Sequence, residues 1–154
     1  MIIKEKLGRE YVLLKEQNKK KLLSETHKNK KKGLLVVFEP ATEEILRFAL
    51  EKTAVDMVVN VENIHPKDHT HYVRSGLDQV LGKIAAAKGK LIMFDFNNLV
   101  KSNNLSKIMA RMRLNIKLCK KYKVKMLLTD LATERTVADL TSFLRVVEKE
   151  KNLQ

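Results

Sequence analysis

The sequence predicts an α/β fold, a parallel sheet with helices packed outside it, and three observations carry that expectation. Short apolar runs rich in β-branched residues alternate about five times with longer stretches of helical period. The clearest of those runs are continuous rather than alternating in polarity, as strands covered on both faces are. The segments between them are long enough for the crossover helix that parallel neighbours require.

Element by element, Glu10 to Leu14 (EYVLL) reads as a strand, and the basic stretch Asn18 to Lys32, with its apolar pair Leu22 and Leu23, as a weak helix. Gly33 ends that run. Leu34 to Phe38 (LLVVF) is a buried strand closed by Pro40. From Thr42 to Lys52, Ile45, Phe48 and Ala49 share a helical face while Glu43, Glu44, Arg47 and Glu51 point away. Asp56 to Val61 repeats the strand signal and leads into a polar loop, Glu62 to Arg74, holding three of the four histidines.

The next helix starts near Ser75, with Leu77, Val80, Leu81 and Ile84 on one face, and stops at Gly89, where a left-handed cap is easy. Leu91 to Phe96 follows as a strand. Ser102 or Asn104 caps the longest helix, which runs to about Lys121, and Lys123 to Thr129 gives the last strand. A final helix begins at Thr136 to Asp139 (TVAD), a capping-box spacing, and buries Leu140, Phe143, Leu144 and Val147. About five strands are too few for a closed eight-stranded barrel, so the sheet is expected to be open or incomplete, in a single β/α domain spanning 1–154.

Composition narrows the functional classes. A chain of 154 residues, 44% hydrophobic and 32% charged, is globular in character, and no stretch reaches the ~18 consecutive apolar residues of a membrane helix. The start MIIKEKLGRE lacks an apolar signal core, which points to the cytoplasm and away from membranes. Cys119 alone cannot form an internal disulfide, and no Cys/His pair has zinc-site spacing. Glycine-rich phosphate loops and the G-x-S-x-G elbow are absent, and eight aromatics without Trp leave little for base stacking.

The net charge of +13 is unevenly spread. Residues 1–33 carry 11 Lys/Arg against 4 acids and residues 101–154 carry 13 against 5, whereas residues 34–100 carry 7 against 9. Basic flanks on a neutral scaffold suit a polyanion, because clustered cations release counterions from phosphates. Solubility alone would look similar, and the size of the charge favours nucleic acid.

The long helix gives the sharpest signal. Leu105, Ile108, Met109, Met112, Ile116 and Cys119 form one face, and Lys107, Arg111, Lys117 and Lys121, flanked by Arg113 and Lys120, form an opposite, solvent-facing line of cations suited to a phosphate backbone. A merely solvated face is the alternative. Leu114 and Leu118 stand among those cations at i,i+4 and are candidate partner contacts, or ordinary exposed leucines. His65, Asp68, His69 and His71 leave open a divalent metal, although their spacing matches no known site, so no metal ligand and no catalytic residue is assigned.

The order of several segments resembles the ribonuclease P protein component 3 family. LRFALEKTAVDMVV looks like its R-x-A-x-E helix and V-D strand, through Arg47, Ala49, Glu51, Val55 and Asp56. Ser75 to Gly89 is similar to its next helix, and Arg111 to Thr129 to its most distinctive helix–strand pair. Arg135, Asp139 and Leu140 keep its R-x-P-x-D-L pattern, with Val137 in place of proline. The match spans 34–148; the basic segment 1–33 holds at most a second-strand likeness, Leu7 to Leu14, and the family's opening strand–helix unit has no counterpart.

The resemblance implies a TIM-barrel-like parallel (β/α) repeat, here abridged. It implies a subunit of a ribonucleoprotein endoribonuclease that removes 5′ leaders from precursor tRNA, with hydrolysis by an RNA subunit that binds magnesium and no cofactor on the protein itself. Implied partners are that RNA, precursor tRNA, ribonuclease P protein component 2 and other protein subunits. Arg135 joins the six cations of the long helix as a candidate RNA contact. Two other readings remain at this point: a metal-dependent phosphohydrolase using His65, His69 and His71, and a basic scaffold that binds only protein.

Overall fold

A computed structural model describes residues 2–3, 9–132 and 137–149. Six strands, β1 (Ile2–Ile3), β2 (Tyr11–Leu14), β3 (Leu35–Phe38), β4 (Met57–Val59), β5 (Leu91–Asp95) and β6 (Met126–Thr129), form one sheet in the order β1-β6-β5-β4-β3-β2. Every pairing is parallel. From β2 to β6 each strand lies beside its successor, and the first strand sits beside the last, the order by which a (β/α) barrel closes. Among the described residues β1 and β2 do not pair, so the architecture is an abridged, TIM-barrel-like sheet rather than a closed ring.

The crossovers are α1 (Lys19–Lys31), α2 (Glu43–Lys52), α3 (Gln79–Ala87) and α5 (Leu105–Tyr122), with α6 (Val137–Lys149) after the last strand. Their N-termini are capped as the side chains allow. Asn18 accepts from the amides of Lys20 and Lys21, Thr42 from Ile45, and Asp78 from Leu81. Strand side chains alternate between two apolar layers. Val36, Phe38, Val58, Ile92, Phe94 and Leu128 join the helices' cluster, while Val37, Met57, Val59, Met93 and Leu127 form a second cluster on the opposite face. This two-sided burial explains why the strand runs were so uniformly apolar.

Several sequence expectations shift in detail. A two-residue strand, Ile2–Ile3, extends the sheet without having shown a periodic signal. Phe96 does not extend β5 but begins a five-residue helix, α4 (Phe96–Val100), because the Asp95 side chain accepts from the Asn97 amide and caps it. Helix α3 starts at Gln79 rather than near Ser75, and Val80 is exposed, while Leu81, Gly82 and Ala85 form the buried face. Arg135 and Thr136, with the proposed capping box, lie outside the described residues, as does the side chain of Val147.

Gly76 is fixed by geometry. It adopts φ +90, and a Cβ there would fall 1.9 Å from the carbonyl oxygen of Val61. Cys119 is buried, and burial pushes its thiol up to about 12, which leaves it inert at neutral pH. Among the described residues, no helix is long and apolar enough to cross a membrane.

Candidate nucleic-acid interface

Helix α5 begins at Asn104, whose side chain accepts from the Lys107 amide at 3.0 Å. Its buried residues are Ile108, Arg111, Met112, Asn115, Ile116 and Cys119. The stripe therefore includes two polar side chains. Arg111 is 1% exposed and corrects the expectation of a solvent-facing cation. Its guanidinium donates to Asp68 Oδ1 at 3.0 and 2.6 Å, to the carbonyl of Glu62 at 2.7 Å and to that of His65 at 2.6 Å.

The reason is the loop from Glu62 to Arg74, which folds over this part of α5. A buried guanidinium is tolerable when a carboxylate and carbonyls take its protons, and this loop supplies all of them. Burial would raise the Asp68 carboxyl, but the Arg74 amide and Arg111 outweigh it and hold it below the usual range. Lys107 is drawn into the same clamp, donating to the Pro66 carbonyl at 2.6 Å. Asn115 likewise donates to the carbonyl of Ser75 at 2.8 Å. Their positions at 108, 111, 112, 115, 116 and 119 follow the helical core period, so spacing alone could have placed both polar residues inside.

The outward cations cluster toward the far end of the helix. Lys117, Lys120 and Lys121 are exposed and Arg113 is half-buried. Lys121 Nζ lies 5.4 Å from the Tyr122 ring centroid, leaving its charge at the surface. Leu105, expected in the core stripe, is 51% exposed, and Met109 is half-buried. The two leucines differ: Leu114 is 37% exposed, whereas Leu118 packs half-buried against the main core.

The histidine loop does not converge. His65 is buried against Glu43 at 2.5 Å, Asp68 is committed to Arg111, and the His69 ring stacks on Tyr72 with centroids 4.5 Å apart. The His71 ring lies tilted at 45° to that of His69, with centroids 6.1 Å apart. Among the described residues, no three His, Cys, Asp or Glu side chains are grouped to hold a metal ion.

Sequence reading passed over a second polar group where the strands end, the position at which (β/α) barrels carry their chemistry. Glu62 is fully buried and accepts from Asn98 Nδ2 at 2.9 Å; Asn98 in turn accepts from Asn63 at 2.7 Å. Asn60, left-handed at φ 57, donates to Glu39 at 3.1 Å, and Glu39 meets Lys15 at 2.7 Å. Asp95 accepts from the amides of Asn97 and Leu131, at 3.1 and 3.0 Å. Burial pushes Glu62 up to about 7 and also raises Asp95. These carboxyls are tied to amides, and Glu62 Oε2 and Asn60 Oδ1 are buried without a hydrogen-bond partner.

Comparison with known proteins bears on what such a scaffold carries. The sequence is 30% identical over 139 residues to ribonuclease P protein component 3 of Methanococcus maripaludis strain C7, with 86% of this chain covered. The proteins of that name from strains C6 and C5 give the same identity and coverage. Over most of its own length the chain is similar to the ribonuclease P protein component 3 family. It spans 56% of the length of those relatives. A chain in the cryo-EM structure of archaeal ribonuclease P with mature tRNA superposes with a TM-score of 0.74 at 25% identity, covering 91% of this chain and 60% of that one. No family model matches the sequence. The component 3 likeness thus extends across most of this chain, including the helix and strands that present the cations.

Proposed function

We propose that this chain acts as a protein subunit of ribonuclease P, binding RNA through exposed cations while an RNA subunit removes 5′ leaders from precursor tRNA. Its kinship with component 3 over 86% of the chain carries the reading. The +13 charge, with Lys117, Lys120 and Lys121 exposed on α5, supports it physically, since cations gathered at a surface bind phosphate by counterion release. Arg113 remains a candidate from its place in the cation line of α5 and Arg135 from the family likeness, whereas Arg111 and Lys107 serve the fold. Magnesium belongs to the RNA in this reading, and the protein needs no cofactor.

Component 2 and other subunits are the proposed protein partners, with Leu114 the more accessible of the two candidate contact leucines. A cytoplasmic setting fits such an assembly. The phosphohydrolase reading loses its motive, because its histidines are engaged separately. Reconstitution tests the proposal: adding this chain to the RNA subunit and the remaining proteins should raise the rate of 5′ cleavage of precursor tRNA. Equal rates with and without it would overturn the assignment.

A further inference from the structure

We propose that the end of the sheet where the strands begin is a phosphate-binding platform, on which Lys31, Lys32, Lys52, Lys88, Lys123 and Lys125 meet the backbone of a structured RNA. The inference rests on the RNA-binding reading above and extends the contact surface from the side of one helix to one end of the whole sheet.

In a parallel sheet all strands enter from the same end, so every crossover helix finishes there and its following turn lies beside those of its neighbours. Backbone bonds fix this adjacency. Leu35 donates to the Glu10 carbonyl at 3.1 Å, Asp56 to Val36 at 2.9 Å, Leu91 to Asp56 at 3.0 Å and Ile92 to Lys125 at 3.0 Å. The five turns, 9–10, 31–34, 51–56, 87–90 and 120–125, contain ten Lys/Arg and three acids. Two of those acids are already matched: Asp56 by Lys30 at 2.8 Å and Glu51 by Arg47 at 2.9 Å.

One of the ten cations is structural. Lys90 donates to the carbonyls of Thr53 and Val55, at 2.9 and 2.7 Å, and ties two of the turns together. The six lysines named above are exposed. With strands about 4.8 Å apart and helices about 10 Å apart, their flexible stems can reach successive phosphates. The opposite end has the reverse balance: turns 15–18, 39–44, 60–78, 95–104 and 130–132 hold nine acids and four Lys/Arg. Several of those acids are matched too, Asp68 by Arg111, Glu39 by Lys15 and Glu44 by Lys19, so a polyanion meets an excess of exposed cations at one end and none at the other.

Lysines also complement the negative C-terminal end of a helix, which would account for Lys31 and Lys52 without any ligand. It does not account for Lys125, which precedes β6 in the chain, and although it covers a cation at the end of α5 it does not explain the backbone cost borne by Lys123. That residue adopts φ 57 just past α5, with its N–H on the Cys119 carbonyl, a left-handed cap at which glycine is the unstrained choice. A lysine held there at a conformational cost supplies a cation that glycine would not.

The test is binding of the full chain to a 5′-labelled RNA stem–loop across about 50 to 200 mM salt. Combining Lys31→Ala, Lys52→Ala, Lys88→Ala and Lys125→Ala should reduce the log–log salt slope by roughly four and weaken binding at least tenfold at the lower salt, with roughly one unit of slope per phosphate contact. A variant of equal charge change at the other end, Lys15→Ala, Lys19→Ala, Lys67→Ala and Lys101→Ala, should change the slope by less than about one. Equal losses in the two variants, or no loss in the first, overturn the platform.

Lys123→Gly adds a readout that a structural role would not move. It should raise Tm by about 2 °C while weakening RNA binding, and a raised Tm with unchanged binding removes Lys123 from the platform. The subunit reading fails separately: a wild-type chain that binds the stem–loop with this slope but adds nothing to tRNA cleavage sinks that reading and leaves the platform standing. A wild-type chain with no affinity for RNA sinks both.

Discussion

At the end where its strands leave, the sheet carries acids that are buried or bonded to amides; at the end where they enter, it carries lysines that reach into water. Both ends belong to the same repeating unit, yet they solve different problems. Glu62 is held by Asn98, Asn60 by Glu39 and Asp95 by backbone amides, while Glu62 Oε2 and Asn60 Oδ1 stay buried without a hydrogen-bond partner. Lys31, Lys88 and Lys125 are exposed, and the acids Glu51 and Asp56 near them already have cationic partners. Polar groups that close on themselves stabilise a fold or strain it, whereas cations left outside remain available to a ligand.

The largest expected effect breaks the closed end. Arg111→Ala empties a fully buried position and leaves two carbonyls without their donor at roughly 1–3 kcal/mol each, while the exposed Asp68 is rehydrated. Urea denaturation should show that loss, and RNA binding should fall only in proportion to the unfolded fraction. A fully stable variant with lost RNA affinity would return Arg111 to the interface.

Glu62→Gln sharpens the contrast at intermediate size. The Glu62 carboxyl titrates near 7 in the folded chain against 4.5 as its ordinary value, so between those values the folded state holds the extra proton. Stability is untouched below about 4.5, falls as pH rises through the window, and stays reduced above about 7. The Gln variant should gain about 1–3 kcal/mol at pH 8 and lose most of the slope between pH 5 and 7, read from denaturation midpoints across pH. An unchanged slope would show that Glu62 is not held protonated by burial.

Smallest in stability is the open surface. Lys117→Ala with Lys121→Ala should change unfolding free energy by under about 0.5 kcal/mol, since both side chains are exposed. RNA binding should weaken and its salt slope fall by about two, one for each phosphate contact removed. A stability loss comparable with that of Arg111→Ala would place these lysines in the fold rather than at the interface.

The fold was legible wherever burial wrote itself into residue type. Leu35–Phe38 and Met126–Thr129 pack on both faces, so their apolar runs were unambiguous. Ile2–Ile3 is too short to show any period, and Phe96–Val100 is set by one Asp95 cap that looks like the end of a strand. The site was harder to read, for two physical reasons. Arg111 and Asn115 occupy core positions of α5, but their polarity suggested solvent, because a sequence does not say that a distant loop will supply their partners. Charge was visible by chain segment, whereas the sheet sorts it by strand end, bringing Lys31, Lys88 and Lys125 together from three separate regions of the sequence.

Among the described residues β2 has no strand paired with its outer side, and this has a further consequence. Its backbone N–H and C=O groups could template a strand from a second molecule, as bare sheet margins do. This stretch is only four residues long, and exposed Arg9 and Lys15 bracket it. An approaching copy would bring the same charges into opposition at close range, within a screening distance of about 10 Å in 0.1 M salt. Strand addition here would have to crowd charged side chains, Arg9 and Glu10 at one end and Lys15 and Glu16 at the other, which discourages pairing at this edge.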